Sequence, residues 1–332
     1  MEKRFPKQVI IEVTNKCNLT CKYCPNTCND GFPVGNMTVD LFRHIADLVA
    51  AESPDSVVIP WMNGEPFLHP DYLEMVQYLS KLGLKFYVTT NLTIWREDIL
   101  KFLLSDQSTC YQIIVSMDGV RGSDSIELAR PGTNGKQLVS HVNHLIRLKR
   151  EMDSTKDLAV KICERGQDWE EIEQYVQEWL SEDEAIDYVC VGKPLKGEND
   201  VSMRRAPCQY FDRNFMVIRW NGTCVPCAYN DKVANKGMLN YGQVHALSPS
   251  LLDVYNNEYM QNFRTEQRNG KFREPCASCS FAYTGYGFEG MVTFRNGLLA
   301  DQPLYYHQDY YNMFFSLKRG MKDKEYYFQE ER

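Results

Sequence analysis

The sequence predicts an α/β fold in which a parallel sheet comes first, a small cysteine-rich α+β domain follows, and a helical, aromatic-rich tail ends the chain. Over residues 9–191, short apolar runs alternate with segments whose apolar residues recur every three or four positions. Five of the twelve cysteines then fall between residues 208 and 279, and tyrosine and phenylalanine pairs crowd residues 305–328. Roughly six strand–helix units in a row indicate parallel strands joined by right-handed crossovers.

The apolar runs place six strands, at residues 9–13, 56–61, 84–90, 111–117, 158–163 and 186–191. Helices are predicted between these strands. The first begins after Thr38, whose side chain suits an N-cap, and the second follows Asp71 and ends at Gly83. Three more helices follow, at residues 96–104, 137–151 and 169–180.

The composition changes after the sixth strand. Residues 193–205 are polar with glycine and proline, which is typical of a linker. Beyond the linker we predict a hairpin strand at residues 215–220 and a helix at residues 251–264. We therefore divide the chain into a sheet domain, a cysteine-rich domain and a tail of one or two packed helices, at residues 1–195, 196–285 and 286–332.

The composition also excludes several classes of protein. The formal net charge of −7 argues against a protein that tracks nucleic-acid phosphates. No apolar run approaches the ~20 residues of a membrane span, and the first residues lack the apolar core of a secretory signal. We therefore expect a cytoplasmic enzyme without nucleic-acid or membrane partners. In such a chain, twelve cysteines indicate metal or redox chemistry rather than a disulfide framework.

Residues along a strand alternate between the two faces of a sheet, so we expect the apolar set of each strand to face the helices. The opposite face is polar in several of the predicted strands. A structural barrel fills its interior with branched apolar side chains, so a polar interior indicates a ligand-binding cavity. An antiparallel sheet with one solvated face is the alternative. The residues predicted to line the interior are Glu12, Thr14, Tyr87, Thr89, Asn91, Gln112, Ser116, Asp118, Lys161 and Cys163.

Three cysteines lie directly after the first predicted strand at C-x3-C-x2-C spacing, namely Cys17, Cys21 and Cys24. Three thiolates can hold three irons of a [4Fe–4S] cluster, which normally takes four, and so leave one iron open for another ligand. Cys28 could complete the set as in a ferredoxin, and a zinc knuckle is a further alternative. The three-residue first gap and the proline after the third cysteine favour the open iron.

With Tyr23 immediately before the third cysteine, this stretch resembles the signature of the radical S-adenosylmethionine (SAM) superfamily. The resemblance implies a partial (β/α)6 barrel of TIM type, with the active site at the C-terminal ends of the strands. It implies that SAM binds the open iron, beside Tyr23, and is cleaved to a 5′-deoxyadenosyl radical that takes hydrogen from the substrate. It also implies a protein reductant such as flavodoxin or ferredoxin.

The same resemblance assigns further residues to SAM. Asn63, Gly64 and Glu65 follow the second strand and resemble the family's Gly-Gly-Glu-Pro stretch, with Asn63 where a glycine is usual. In the family this glutamate holds the SAM amino group, and a small residue lets the backbone approach closely. Arg130 resembles an arginine that pairs with the SAM carboxylate. The positions that resemble ribose- and methionine-binding residues are Asn91, Ser116 and Asp118.

A second set of cysteines follows the linker. Cys208, Gly222 and Cys227 fit the spacing C-x13-G-x4-C, and Cys276 and Cys279 form C-x2-C. This pattern resembles the SPASM/twitch extension of radical SAM enzymes. No cysteine follows Cys279, as in the twitch form, which has one auxiliary cluster. The resemblance therefore implies a second [4Fe–4S] cluster held by the four cysteines just named.

A zinc ribbon is the alternative for this region. It would use two C-x2-C pairs, Cys224 with Cys227 and Cys276 with Cys279, and would leave Cys208 without a role. The residues alone leave open whether Cys208 or Cys224 is a ligand of the auxiliary site.

Among radical SAM enzymes, the closest pattern is that of the twitch-form aminocyclitol dehydrogenase, which implies an oxidoreductase acting on a sugar- or aminocyclitol-like small molecule. A cluster with four cysteine ligands has no open iron, so electron transfer is its implied role. Lys161 is the candidate base for the substrate proton, since a buried lysine loses its charge readily. Cys163 is the candidate hydrogen donor if the reaction is instead an epimerisation. A peptide-crosslinking enzyme is the third alternative.

Overall fold

In the computed structural model the chain is described at residues 5–21, 24, 33–119, 125–163, 174, 178–179, 186–192, 215–227, 242–245, 247–273, 276–277, 291–295 and 298–299. The strands in these residues are β1 (Gln8–Ile11), β2 (Val57–Ile59), β3 (Phe86–Thr90), β4 (Cys110–Ser116), β5 (Asp157–Cys163), β6 (Tyr188–Gly192), β7 (Phe215–Ile218), β8 (Thr223–Val225), β9 (Gly242–Gln243), β10 (Met291–Arg295) and β11 (Leu298–Leu299). The helices are α1 (Val39–Glu52), α2 (Tyr72–Lys81), α3 (Glu97–Leu104), α4 (Ser125–Ala129), α5 (Gly135–Glu151), α6 (Leu251–Tyr255) and α7 (Glu258–Arg268).

The described strands form one sheet in the order β11-β10-β6-β5-β4-β3-β2-β1-β7-β8-β9. β1 to β6 are neighbours in chain order and are all parallel, as crossover helices require. Because the free side of β1 pairs with β7 and not with β6, the sheet is an open, partial barrel. The α/β prediction is confirmed, and the C-terminal ends of the six strands meet at one edge.

The apolar residues of the barrel strands face the helices, as the alternation predicts. Val9 and Ile11 of β1, with their counterparts on β3, β4 and β5, lie in one buried cluster with α1, α2, α3 and α5. Fully burying each such side chain stabilises the fold by roughly 1.5–3 kcal/mol relative to leaving it exposed. The alternate residues point to the opposite face, which brings polar groups into the barrel interior.

Local signals determine where the first helices begin and end. Thr38 caps α1, because its Oγ1 accepts a hydrogen bond from Leu41 N at 3.3 Å. Asp71 stands at the predicted N-cap of α2, but its side chain makes no capping bond. Its own backbone N–H instead donates to His69 Nδ1 at 3.1 Å. Gly83 follows α2 with a φ of 72°, which glycine adopts without strain.

The single helix predicted at residues 251–264 is wrong, because two helices, α6 and α7, occupy this segment. Asn256 ends α6, and Asn257 begins α7 by accepting a hydrogen bond from Met260 N on its Oδ1 at 3.0 Å. Asparagine is a strong N-cap because its side chain satisfies a backbone donor that the helix leaves free. The apolar spacing continues through both helices and so gave no sign of the break.

The start of the predicted helical tail is also wrong, because residues 291–299 contain a strand pair. β10 pairs antiparallel with β6, and β11 pairs antiparallel with β10. A pairing between segments about a hundred residues apart leaves no periodic signal in either one. Residues 300–332, the predicted linker and most of the helix predicted at residues 169–180 lie outside the described residues. No described helix is long and apolar enough to cross a membrane.

Candidate active site

A polar cleft opens at the C-terminal ends of the barrel strands, where barrels of parallel strands carry their active sites. Its volume is about 250 Å³. The described residues that line it are Cys17, Leu19, Cys21, Cys24, Trp61, Met62, Asn63, Gly64, Glu65, Thr89, Thr90, Asn91, Ser116, Asp118, Arg130 and Lys161. The structure thus brings together every described residue that the sequence analysis assigned to SAM and to the first cluster.

A larger cavity of about 570 Å³ lies at the opposite end of the barrel. It is lined by residues 5–7 and 52–57, which precede β1 and β2 and include no cysteine. Ligand sites combine a concave surface with a few convergent polar groups. We therefore assign the active site to the smaller cleft, which holds the three cysteines.

The three cysteines lie on a long loop whose two ends are tied together. A β-bridge joins Thr14 to Asn36 at the base of this loop. Asn15 adds two hydrogen bonds across it: its Oδ1 accepts from Gly35 N at 2.8 Å, and its Nδ2 donates to Pro33 O at 2.9 Å. These contacts hold the cysteine loop, residues 14–36, at the end of β1.

The thiols of the cysteine loop influence one another's ionisation. The pKa of Cys17 is raised to about 11, chiefly by burial and further by the nearby Glu65, Cys24 and Cys21. A hydrogen bond with the Leu19 backbone lowers this pKa in part. The neutral thiol is therefore the stable form at neutral pH until a metal binds, and iron binding must release its proton. A partly buried group of three thiols fits a [4Fe–4S] cluster.

A [4Fe–4S] cluster and a single zinc ion place different demands on the thiolates that bind them. Within the described part of the chain, no three cysteine, histidine, aspartate or glutamate side chains converge enough to hold one metal ion. A zinc ion needs every thiolate at about 2.3 Å from one atom, whereas each thiolate of a [4Fe–4S] cluster binds a separate iron.

Glu65 is a buried carboxylate held by three donors. Its Oε1 accepts from Thr90 Oγ1 at 2.7 Å and from Phe67 N at 3.1 Å, and its Oε2 accepts from Asn91 N at 2.7 Å. Burial nevertheless raises its pKa, because these hydrogen bonds and the charge of Arg130 offset the lost hydration only in part. A cationic donor in the cleft would add to the bonds of Oε2 and favour the charged carboxylate.

The two residues before this glutamate pack tightly against the cysteine loop. A Cβ atom on Gly64 would lie 2.4 Å from Thr14 O and 2.7 Å from Lys16 O, so the close approach requires glycine. Asn63, which stands where the family pattern has a glycine, donates from Nδ2 to Glu12 Oε1 at 3.0 Å. The structure thus shows how the unusual side chain is accommodated.

Two residues at the cleft adopt left-handed backbone although they are not glycine. Leu92, which follows Asn91, has a φ of 50°, and Asp118 has a φ of 55°. Such conformations cost roughly 1–3 kcal/mol each and concentrate at functional sites. The first is supported by Asn91, whose Oδ1 accepts from Thr93 N at 2.9 Å. The second is supported by Lys161, whose carbonyl oxygen accepts from Asp118 N at 3.2 Å.

Arg130 presents a largely buried guanidinium to the cleft. It donates from Nη1 to Ser116 O, and its Nε lies 3.5 Å from Asp118 Oδ2 without a hydrogen bond to any described residue. Burial opposes its charge, but the nearby Asp118, Cys21 and Glu65 outweigh burial and raise the pKa of Arg130. A fixed guanidinium with an open donor suits a carboxylate ligand.

The remaining interior residues divide between the cleft and its supports. Thr89 lines the cleft, whereas Tyr87 and Gln112 are buried and do not line it. Glu12 is fully buried, and its Oε2 lies 2.7 Å from Arg219 Nε. The sequence analysis missed Arg219, because a partner 207 positions away leaves no local signal.

Of the two predicted catalytic residues, Lys161 lines the cleft near the end of β5. Cys163 is the last residue of β5, and its backbone pairs with Gly192 of β6, but its side chain is not among those described. The other predicted site residues that lie outside the described residues are Tyr23, Cys208 and Cys279.

In the second cysteine set, Cys227 and Cys276 are partly exposed, whereas Cys224 is fully buried. Cys224 belongs to the apolar core, and burial raises its pKa to about 12. Gly222 forms the hairpin turn before Cys227, with a φ of 84°, and a Cβ there would lie 2.0 Å from Val244 O. The glycine in the C-x13-G-x4-C pattern therefore has a steric cause.

Comparison with known proteins finds two domains in the chain. The model of the radical SAM superfamily matches residues 11–115. The model of the SPASM iron–sulfur cluster-binding domain matches residues 208–280. The first match contains the cysteine loop and most of the cleft. The second contains the four cysteines implied as ligands of the auxiliary cluster.

Relatives among curated proteins are similar at low identity. An AdoMet-dependent heme synthase of Methanosarcina barkeri is 30% identical over 114 residues, which are 34% of this chain and 32% of that protein. A tungsten-containing aldehyde ferredoxin oxidoreductase cofactor-modifying protein of Pyrococcus furiosus is 23% identical over 318 residues, with 82% of this chain and 87% of that protein covered. The chain therefore spans about a third of the first relative and most of the second.

Solved structures share the fold at still lower identity. BtrN in complex with AdoMet and 2-DOIA has a TM-score of 0.55 and 16% identity, with 88% of this chain and 100% of that chain covered. Streptococcus suis SuiB bound to the precursor peptide SuiA has a TM-score of 0.60 and 16% identity, with 84% and 70% covered. These similarities show a common fold.

Proposed function

The chain is a radical SAM protein with a SPASM domain, and we propose that it oxidises a carbinol carbon of a sugar- or aminocyclitol-like small molecule. SAM and iron–sulfur clusters are the cofactors of these two domains. The observation that carries the proposal is the convergence of the cysteine loop, Glu65 and Arg130 on one cleft at the C-terminal edge of the barrel.

The cleft fits SAM through its donors and acceptors. The Arg130 Nε makes no hydrogen bond to a described residue, and three partly exposed thiols face the same space. When bound, SAM and its cluster supply a radical that takes a hydrogen atom from the substrate, and the auxiliary cluster supplies an acceptor for one electron. The protein contributes orientation, charge and exclusion of water.

We assign different parts of SAM to different residues of the cleft. We assign the SAM amino group to Glu65, whose Oε2 accepts one hydrogen bond from the described residues. We assign the SAM carboxylate to Arg130, because a guanidinium binds a carboxylate through two parallel hydrogen bonds. The ribose and methionine parts then lie along the left-handed turns after β3 and β4. These parts are assigned to Asn91, Ser116 and Asp118, and Asn63 and Gly64 line the same cleft. Tyr23, which lies outside the described residues, completes the assigned set.

Lys161 takes the remaining proton in this proposal. A CH–OH group that becomes C=O gives up one hydrogen atom, one electron and one proton. The hydrogen atom and the electron go to the bound cofactors, so the hydroxyl proton needs a base. Lys161 lines the cleft at the end of β5, and a neutral amine there would accept it.

The auxiliary cluster is assigned to Cys208, Cys227, Cys276 and Cys279. The exposures of Cys227 and Cys276 support this choice over the zinc ribbon, because Cys224 has no exposed surface and lies among apolar side chains. A thiol in such surroundings is inert. Four cysteine ligands leave no open iron, so this cluster acts in electron transfer.

A peptide is the second candidate substrate. Val34 and Leu128 have 67% and 75% of their surface exposed, and they lie at the end of the cysteine loop and two residues before Arg130. Apolar side chains at these places suit a peptide, and the structure of SuiB contains a precursor peptide. BtrN, with 2-DOIA, and the cofactor-modifying relative support a small molecule instead.

The test is turnover of the reconstituted protein with a reductant and SAM, against a panel of sugars and aminocyclitols and a separate panel of peptides. We expect a carbonyl product from the first panel, formed together with one 5′-deoxyadenosine per molecule. The variant with Cys17→Ala, Cys21→Ala and Cys24→Ala should form neither. A crosslinked peptide with no oxidised small molecule would replace the proposal with the second candidate.

A further inference from the structure

The hairpin that carries Cys227 contacts the barrel beside the cleft. β7, which leads into this hairpin, pairs with β1 in parallel. The two residues that follow β7, Arg219 and Trp220, contact the end of β1 and the base of the cysteine loop. We name these contacts, made by Glu12, Gly35, Arg219 and Trp220, the hairpin clamp.

The centre of the clamp is a buried ion pair. Glu12 Oε2 lies 2.7 Å from Arg219 Nε, and the two side chains are 0% and 1% exposed. The same oxygen accepts from Trp220 N at 3.3 Å, and the Glu12 backbone N–H donates to Ile218 O at 2.8 Å. Glu12 is therefore bonded to three consecutive residues at the end of β7.

The other carboxylate oxygen contacts a residue that lines the cleft. Glu12 Oε1 accepts from Asn63 Nδ2 at 3.0 Å, and Asn63 lines the cleft next to Gly64. Gly64 in turn packs on the backbone of the cysteine loop. One side chain thus links the loop assigned to SAM with the hairpin assigned to the auxiliary cluster.

A second contact joins the hairpin to the cysteine loop directly. A Cβ on Gly35 would lie 2.5 Å from two carbon atoms of the Trp220 ring, so the indole rests against the glycine. Gly35 closes the cysteine loop through its bonds to Asn15 and Thr14. A shift of Trp220 would therefore displace the base of the cysteine loop.

Stability alone does not explain a buried ion pair at this place. Burying two charges costs several kcal/mol per ion, and well-packed apolar residues of similar volume often stabilise as much or more. What charged hydrogen bonds add is direction, because donor and acceptor must keep a fixed geometry. The clamp is thus suited to holding two segments in one register.

We propose that Glu12 and Arg219 are positioning residues that hold the Cys227 hairpin in register against the cysteine loop. They thereby set the separation of the two clusters, and so the path of the electron that leaves the substrate. This inference rests on the proposed function, because only an oxidation needs that electron transfer.

The test uses Arg219→Gln in protein that carries both clusters. Pulsed EPR with both clusters reduced measures their dipolar coupling, and we expect a broader distribution of couplings than in the wild type. Product formed per 5′-deoxyadenosine should fall severalfold, because electron transfer to the auxiliary cluster weakens as its distance from the substrate grows. Formation of 5′-deoxyadenosine itself should persist, because the bond between Glu12 and Asn63 remains.

Lys149→Met is the matched control. Lys149 pairs with Asp187 outside the cleft, with side chains 10% and 19% exposed, so its loss also removes the charged partner of a largely buried carboxylate. Lys149→Met should lower the free energy of unfolding without changing the dipolar coupling between the clusters or the amount of product formed per 5′-deoxyadenosine. If Arg219→Gln does not load its clusters, the double variant Glu12→Gln with Arg219→Gln removes both charges and takes its place.

The inference is overturned if either variant, with both clusters present, keeps the wild-type coupling and product ratio. A failure of the proposed function appears separately, in the wild type, as a missing second cluster or the absence of an oxidised product. The dipolar measurement needs no substrate, so it tests the clamp even before the substrate is known.

Discussion

The polar side chains at the cleft differ in how far the protein already satisfies them. Glu65 accepts three hydrogen bonds before any ligand arrives, so its orientation is fixed in advance. Arg130 donates from Nη1 to Ser116 O, and its Nε makes no hydrogen bond to a described residue, although it lies 3.5 Å from Asp118 Oδ2. Preorganised groups lose little conformational freedom on binding, so both should contribute efficiently to affinity.

Arg130→Lys should weaken SAM binding although it keeps the positive charge. Lysine cannot reproduce the planar fork of the guanidinium. Losing one hydrogen bond to a charged group costs roughly 1.5–3 kcal/mol, which is about 10- to 150-fold in Kd. Equilibrium binding of SAM to the reconstituted protein measures this. Arg43→Lys is the control, since Arg43 pairs with Glu74 at the exposed surface. Equal affinities for Arg130→Lys and the wild type would contradict the assignment.

Cys163 distinguishes oxidation from epimerisation. An epimerase must return a hydrogen atom to the substrate, and a thiol returns one that exchanges with solvent. We expect the wild type and Cys163→Ala to give the same product in D2O, with no deuterium at the reacting carbon. Mass spectrometry and NMR of the product measure this. Deuterium at that carbon in the wild-type product, absent with the variant, would favour the epimerase.

Single residues were predictable where their signal is local. Cys17, Glu65 and Arg130 belong to short motifs, and the structure places all three on one cleft. Arg219 was missed because its partner, Glu12, lies 207 positions earlier in the chain. Trp220 was missed for the same reason, since its contact with Gly35 depends on how β7 pairs with β1.

At the scale of elements, most residues assigned to the site lie on the segments that follow the strands, whereas Ser116 and Lys161 lie on β4 and β5 themselves. The cysteine loop, the segment around Gly64 and the left-handed turns after β3 and β4 all leave the same edge of the sheet. Parallel strands guarantee this common edge, because each crossover returns the chain to the same starting side. The β7–β8 hairpin joins them by pairing with β1.

Gly222→Ala should destabilise the protein more than Gly83→Ala does. Both glycines have positive φ, at 84° and 72°, so alanine strains the backbone at each by roughly 1–2 kcal/mol. A Cβ at residue 222 would also lie 2.0 Å from Val244 O, whereas no atom of the described residues lies within 4 Å of a Cβ at residue 83. Urea unfolding of the two variants compares the losses. Similar losses of unfolding free energy in the two variants would contradict the prediction, and would show that the hairpin turn shifts to make room for the added methyl group.

Element boundaries were predictable where periodicity and caps agree. Thr38 caps α1 as expected, and the apolar stripes of α1, α2 and α5 face the core. The break between α6 and α7 was not predictable, because Asn257 begins a new helix while the apolar spacing continues across it. β10 was taken for helix, because strand pairing is decided by a distant partner, β6.

At the scale of the whole molecule, one sheet connects both cysteine regions. β7 and β8 extend it beyond β1, and β10 and β11 extend it beyond β6. The described part of the SPASM region is therefore continuous with the barrel through backbone hydrogen bonds. A shared sheet is stiffer than a linker, and it suits two redox centres whose separation must stay constant.

The number of iron–sulfur clusters per chain tests the assignment of two redox centres to this molecule. Two [4Fe–4S] clusters require roughly eight irons and eight sulfides per chain after anaerobic reconstitution. Cys227→Ala should retain one cluster, with roughly four of each. Cys224→Ala, three residues away, should keep both clusters, because its thiol is buried in the apolar core. Iron, sulfide and zinc analysis of the purified proteins measures all three cases.

The two variants are matched in chemistry and in place, and they differ only in exposure. Each removes one thiol from the same hairpin, and Cys227 is partly exposed whereas Cys224 is fully buried. Loss of the second cluster in Cys224→Ala, with Cys227→Ala unaffected, would exchange the two assignments. One equivalent of zinc and a single cluster in the wild type would instead establish the zinc ribbon. The auxiliary site would then have no iron to accept the substrate's electron, and the proposed oxidation would fail with it.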